Sequence, residues 1–130
     1  MPLFLTFDEI LALHADQIRR YGGAEGLLDA GILSSALAAP QASFEGRFLH
    51  GTLFEMAAAY LYHICQNHPF LDGNKRTALA SCLIFLWLNN HDVVANPGAL
   101  ADLVLGVTRG AVAKSDVAVF LRKHARKVER

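Results

Sequence analysis

The residues best equipped for chemistry lie together in HPFLDGNKR, positions 68–76. His68 carries the side chain most suited to accepting a proton near neutral pH. Asp72 offers a carboxylate four positions on, the usual hard-oxygen ligand for a magnesium ion beside phosphates. Gly73, lacking a side chain, lets backbone come close to a ligand. Asn74 can cap a helix starting here or hydrogen-bond a phosphate oxygen. Lys75 and Arg76 put two cations in a first helical turn, where the dipole disfavours them and an anionic ligand would compensate. Phe70 turns inward and anchors the loop. Base, metal carboxylate, anion nest and phosphate cations are what transfer of a phosphoryl or nucleotidyl group to a hydroxyl requires. Each residue alone has a plainer explanation: a loop histidine, a turn and cap, solvated cations. Five such coincidences in nine residues weigh against the plainer account. A zinc site from His63, His68 and Asp72 matches no ligand spacing.

The elements that must position this loop are helical. Thr6 and Glu9 form a capping-box pattern, followed at helical spacing by Phe7, Ile10, Leu11, His14, Ile18 and Tyr21, with Gly22-Gly23 as the stop. A second helix is expected over about Asp29–Ala39, ended by Pro40. Residues 40–51 have no helical period and read as an irregular segment or short hairpin. Thr52 and Glu55 repeat the capping pattern and open a helix to about Asn67, directly before the loop. Near Asn74 another helix begins. It is apolar almost all round (Ala78, Leu79, Leu83, Ile84, Phe85, Leu86, Leu88), as a central helix packed on every side would be. His91–Ala95 reads as a short extended piece, Asn96-Pro97 as cap and first turn of a helix to about Val107, and Ser115 as the cap of a last amphipathic helix. The fold class is all-α, about six helices around a central apolar one, in a single domain over residues 1–130.

Composition narrows the function classes. The chain is 130 residues, 53% hydrophobic and 18% charged, with formal net charge +0. That excludes the disordered regime and removes the basic excess of a nucleic-acid binder. Arg122, Lys123, Arg126, Lys127 and Arg130 cluster at the end and read as a solvated helix terminus suited to its dipole. Cys65 and Cys82 stand in apolar stretches without CxxC spacing and read as buried thiols, consistent with a reducing cytoplasm. No signal-peptide pattern opens the chain, and the longest apolar run is too short for a bilayer.

HPFLDGNKR resembles the signature of Fic-fold proteins. With LALHADQIRRYGG, NKRTAL and ALADLVLGVTRGAV, the resemblance runs over nearly the whole chain and is nearest to the death-on-curing (Doc) branch. It implies a Fic fold with a flap, for which residues 40–51 have the matching place. It implies His68 as general base, Phe70 as loop anchor, Asp72 as magnesium ligand, Gly73 and Asn74 as the anion-binding segment, and Arg76 as a phosphate partner. Lys75 stands where adenylylating members carry glycine, and goes with transfer of the terminal phosphoryl group of ATP. Leu79 replaces a second arginine of the adenylylating members. Pro69 and Gly73 are typical of those members, so adenylyl transfer remains the alternative enzymatic reading. A non-catalytic antitoxin-binding co-repressor is the third. The branch implies a toxin of a type II toxin–antitoxin module that modifies a hydroxyl of elongation factor Tu and halts translation. With no inhibitory helix motif in the chain, restraint is expected from an antitoxin of the prevent-host-death (Phd) type. The N-terminal helix and residues 40–51 are expected to wall its groove.

Overall fold

Six α-helices and four very short strands make up the chain in the computed structural model, which describes residues 1–130. Helix α1 (Phe7–Tyr21) opens as its capping box requires. The Glu9 N–H donates to Thr6 Oγ1, and the Thr6 N–H donates to Glu9 Oε1. Gly22, with φ 81°, ends it. Helix α2 (Ala30–Ala38) has Asp29 as its N-cap, and a 3₁₀ turn at Ala39–Gln41 built on Pro40 takes over its last turn. Strands β1 (Ser43–Phe44) and β2 (Arg47–Phe48) then form a hairpin. Its two-residue loop, Glu45 and Gly46, has φ 51° and 77°, and two positive φ values match the twist of the flanking strands.

Helix α3 (Leu53–Asn67) is capped by Thr52, whose Oγ1 accepts the Glu55 N–H. The box is incomplete, because the Glu55 carboxylate meets the Gly51 N–H and the Thr52 hydroxyl instead of the Thr52 backbone. Helix α4 (Asn74–Leu88) starts straight after the loop. Strand β3 (His91–Val93) leads to α5 (Pro97–Thr108), where Asn96 caps and Pro97 fills the first turn as expected. Helix α6 (Lys114–His124) does not begin at Ser115; its N-cap is Ala113, whose N–H is taken by the Asp116 carboxylate. The basic end of the chain is also not one solvated helix terminus. Strand β4 (Ala125–Lys127) leaves α6 and pairs antiparallel with β3. Arg130 pairs with Asp92, and its guanidinium sits 4.6 Å from the centre of the Trp87 ring.

The centre of the bundle is a helix pair. α3 packs on α2, α4, α5 and α6, while α4 packs on α1, α3, α5 and β3. α4 is buried through Thr77, Ala78, Ser81, Cys82, Phe85 and Leu86, but Trp87 reaches the surface, so it is not enclosed on every side. Phe48, Phe4, Phe85 and Tyr60 form a chain of aromatic contacts across the end of the pair that carries the hairpin. Both cysteines are free and buried, and burial pushes the Cys65 thiol up to about 11. No helix is long and apolar enough to cross a membrane.

Candidate active site

The loop between α3 and α4 begins with a backbone that few non-glycine residues adopt. His68 has φ 48° and ψ 59° and closes α3 in the left-handed conformation. Pro69 follows, and a residue before proline is disfavoured from continuing a helix. The chain therefore leaves the helix axis at His68, whose imidazole stays exposed.

Phe70 and Asn74 hold the loop from within. Phe70 is only 1% exposed. The Phe70 N–H donates to Asn74 Oδ1 at 2.9 Å, and Asn74 Nδ2 donates to the Phe70 carbonyl at 2.8 Å. The amide thus supplies the donor and acceptor that a neighbouring strand would. The Asn74 side chain is buried and its oxygen and one amide N–H are committed to Phe70, so it does not cap α4. Gly73, with φ 77°, is the N-cap. What Asn74 contributes to an anion site is its backbone N–H.

Two other elements hold the loop from outside. Residues 26–28 run antiparallel to residues 69–71, with the Leu28 N–H on the Pro69 carbonyl at 2.8 Å and the Leu71 N–H on the Gly26 carbonyl at 2.9 Å. The N–H and C=O of Leu27 point away from this ribbon and have no partner in the chain. From α1, the nearly buried His14 lies parallel to Phe70, with ring centres 3.8 Å apart. Its Nε2 donates to the Asp72 carbonyl at 2.8 Å.

Asp72 is the one carboxylate on the loop. Its oxygens accept from the Ala24 N–H at 3.2 Å and the Gly73 N–H at 2.8 Å. These two bonds, Ala24 first, hold its pKa below the ordinary 3.8. A Cβ on Gly23 would come within 2.6 Å of Asp72 Oδ2, so the double glycine after α1 leaves room for the carboxylate. Each oxygen still has a free lone pair. No group of three or more His, Cys, Asp or Glu converges anywhere in the chain. A lone carboxylate of this kind is a donor that magnesium uses when its other ligands come from phosphates and water.

The start of α4 supplies the anion-binding half. α1, α2, α3 and α5 each have a side chain accepting a first-turn N–H, whereas α4 has none. The backbone N–H groups of Asn74, Lys75 and Arg76 are consequently unpaired. Arg76 donates to the Gly22 carbonyl at 2.9 Å and lies 5.6 Å from the Tyr21 ring centre. Lys75 is exposed and forms no ion pair. His68, Asp72, Gly73, Asn74, Lys75 and Arg76 all line one cavity of about 300 Å³. Beside it, an apolar cleft of about 280 Å³ shares Lys75 and Arg76 and is walled by Leu79, Val104 and Leu105.

Every site residue named from the sequence is brought to this loop. None of residues 40–51 lines its cavity, because the hairpin precedes α3 and the loop follows it. The segment that lies against the loop is residues 22–28, bonded to it through Gly22, Ala24, Gly26 and Leu28. His14, Gly23 and Leu27 went unassigned. The available signal was a polar residue on the Ile10–Ile18 stripe and a glycine run, Gly22, Gly23 and Gly26, longer than a helix stop needs.

A helical protein carrying an anion-binding helix start, a carboxylate and an exposed histidine in one clamped loop belongs to a recognisable class. The Fic/DOC family model matches residues 4–86. The chain is 40% identical to the "Protein kinase doc" of Escherichia phage P1 over 116 residues, covering 89% of this chain and 90% of that one. It is 40% identical to the "Toxin Doc" of Mycolicibacterium smegmatis over 76 residues, 58% of each chain. The chain belongs to the Fic/DOC family, on its Doc branch.

Proposed function

We propose that this protein is a toxin that transfers the terminal phosphoryl group of ATP to a hydroxyl of a translation factor, with elongation factor Tu as the expected target. The observation carrying this reading is the shared cavity: His68, Asp72, the uncapped start of α4 and its two cations face one space of about 300 Å³. His68 takes the proton from the target hydroxyl as its oxygen attacks the terminal phosphorus, and the bond to the bridging oxygen breaks so that ADP leaves. The N–H groups of α4, Lys75 and Arg76 take up the phosphate charge. Asp72 would hold magnesium against the nucleotide, and the ion would supply charge neutralisation. The apolar cleft next to Leu79 suits the non-phosphate part of a nucleotide. It also puts a leucine where adenylylating relatives have a second cation, which favours phosphoryl over adenylyl transfer. The free Leu27 edge supports the target chain lying alongside the ribbon as a further strand.

Restraint is assigned to an antitoxin of the Phd type. A cleft of about 330 Å³ between Phe4–Phe7 and Leu37–Gln41 is in keeping with a groove beside the N-terminal helix.

Intact mass of elongation factor Tu after incubation with the protein, ATP and magnesium tests the reading. A phosphoryl-sized gain is expected. His68→Ala should slow it by about 10²–10⁴, the range for losing a positioned base. An adenylyl-sized gain would favour the second reading, for which Pro69 and Gly73 speak. A His68→Ala protein that modifies its target at the normal rate would remove His68 from the chemistry.

A further inference from the structure

A cavity larger than the one at the loop lies elsewhere in the molecule. It measures about 470 Å³ and lies between the lead-in to α3, the first turn of α3 and one face of α6. That volume is in the range of ligand pockets. His50, Phe54, Glu55, Lys114, Val119 and Arg122 line it, and none of them lines the His68 cavity.

Its cations have no anionic partners. The ion pairs of the chain join Asp16 to Arg19 and Arg20, and Asp92 to Arg130. Lys114 instead donates to His63 Nε2 at 3.1 Å and lies 5.7 Å from the Tyr62 ring centre. Burial first, then the Lys114 charge, push the His63 pKa down to about 4, so the imidazole is neutral and accepts without cancelling charge. Arg122 lies 5.7 Å from the Phe54 ring centre. Glu55 is the one carboxylate in the lining, and Gly51 and Thr52 already engage it at the start of α3. His50 Nδ1 is buried without a partner of hydrogen-bonding geometry.

The spacing of the cations selects the ligand. Lys114 and Arg122 are eight positions apart on one helix, or ~12 Å along its axis. Between them lie Ala118 and Val119, the latter 67% exposed. An extended peptide matches that spacing of anchor points, because residues four apart span ~13 Å. We infer that this cavity docks an acidic segment of a partner protein, whose two carboxylates meet Lys114 and Arg122 and whose apolar side chains cover Phe54 and Val119. The proposal does not depend on the chemistry at His68.

The test titrates the isotope-labelled full chain with the synthetic peptide Glu-Ser-Leu-Ser-Glu, whose glutamates and leucine share one face when extended, and with the same peptide carrying lysine for glutamate. The acidic peptide is expected to shift the amides of residues 52–55 and 114–122. A Lys114→Gln/Arg122→Gln protein should bind it about tenfold more weakly, and high salt should weaken binding further. Val119→Glu, a change at an exposed position, should do the same with an otherwise unaltered amide spectrum. Any of four results would overturn the proposal: no shifts at millimolar peptide, equal binding of the basic peptide, shifts at residues 68–76 instead, or the same shifts from inorganic phosphate alone.

Discussion

Helix α3 has a short irregular connection at each end, and the two are held in opposite ways. The hairpin before it contains the left-handed pair Glu45 and Gly46; the loop after it contains the left-handed His68 and Gly73. In the hairpin, Phe44 is 68% exposed and the strands bond mainly to each other. In the loop, Phe70 is 1% exposed, and α1, residues 22–28 and the Asn74 amide all grip the backbone. Unusual backbone conformation therefore says little about rigidity. What differs is how many distant groups over-determine the conformation, and only the loop is prepared to hold charges in a set geometry.

The strongest way to break that comparison is to truncate the two phenylalanines. Phe70→Ala should cost about 3–5 kcal/mol in urea denaturation, as for large aromatic side chains lost from a core. Phe44→Ala should stay within about 0.5 kcal/mol, as for an exposed position. Equal costs would mean the loop is no better anchored than the hairpin. Next, Asn74→Ala strands the buried N–H and C=O of Phe70 and should cost about 1–3 kcal/mol for each of the two. Transfer activity should fall with it.

A smaller effect is expected at Gly23. Its φ of 119° and the 2.6 Å approach to Asp72 Oδ2 mean that Gly23→Ala must displace the carboxylate. The magnesium concentration for half-maximal activity should rise, and the strained backbone should also lower the midpoint of unfolding. An unchanged magnesium requirement would separate Asp72 from the metal. The mildest is a pH effect. Because the folded Asp72 pKa is depressed below 3.8, its bonds to Ala24 and Gly73 add stability above that pH and lose it as pH falls through the folded value. Asp72→Asn should lower the neutral region of the stability curve, where the charged carboxylate contributes, and so flatten its acid limb below about pH 4.

Much of the helical frame was legible because helix starts are decided within four residues. Thr6 with Glu9, Asp29, Thr52 and Asn96-Pro97 each cap locally, and each appears where the sequence puts it. Ser115 shows the limit, since a nearby Asp116 offered the better bond and moved the start to Lys114. The tail shows another, because β4 forms only when β3 is there to pair with it.

For the loop, the sequence by itself determined which groups are present: a histidine before proline, a carboxylate, a glycine and two cations in nine residues. Tertiary structure alone decided how they are held. His14 reaches Asp72 across 58 positions, Arg76 reaches Gly22 across 54, and Asp72 reaches Ala24 across 48. It also decided that residues 22–28, and not the hairpin, lie hydrogen-bonded against the loop. Contacts at such separations cost chain entropy that no local pattern encodes. They exist only because the packing of α1 against α4 brings their partners within bonding distance.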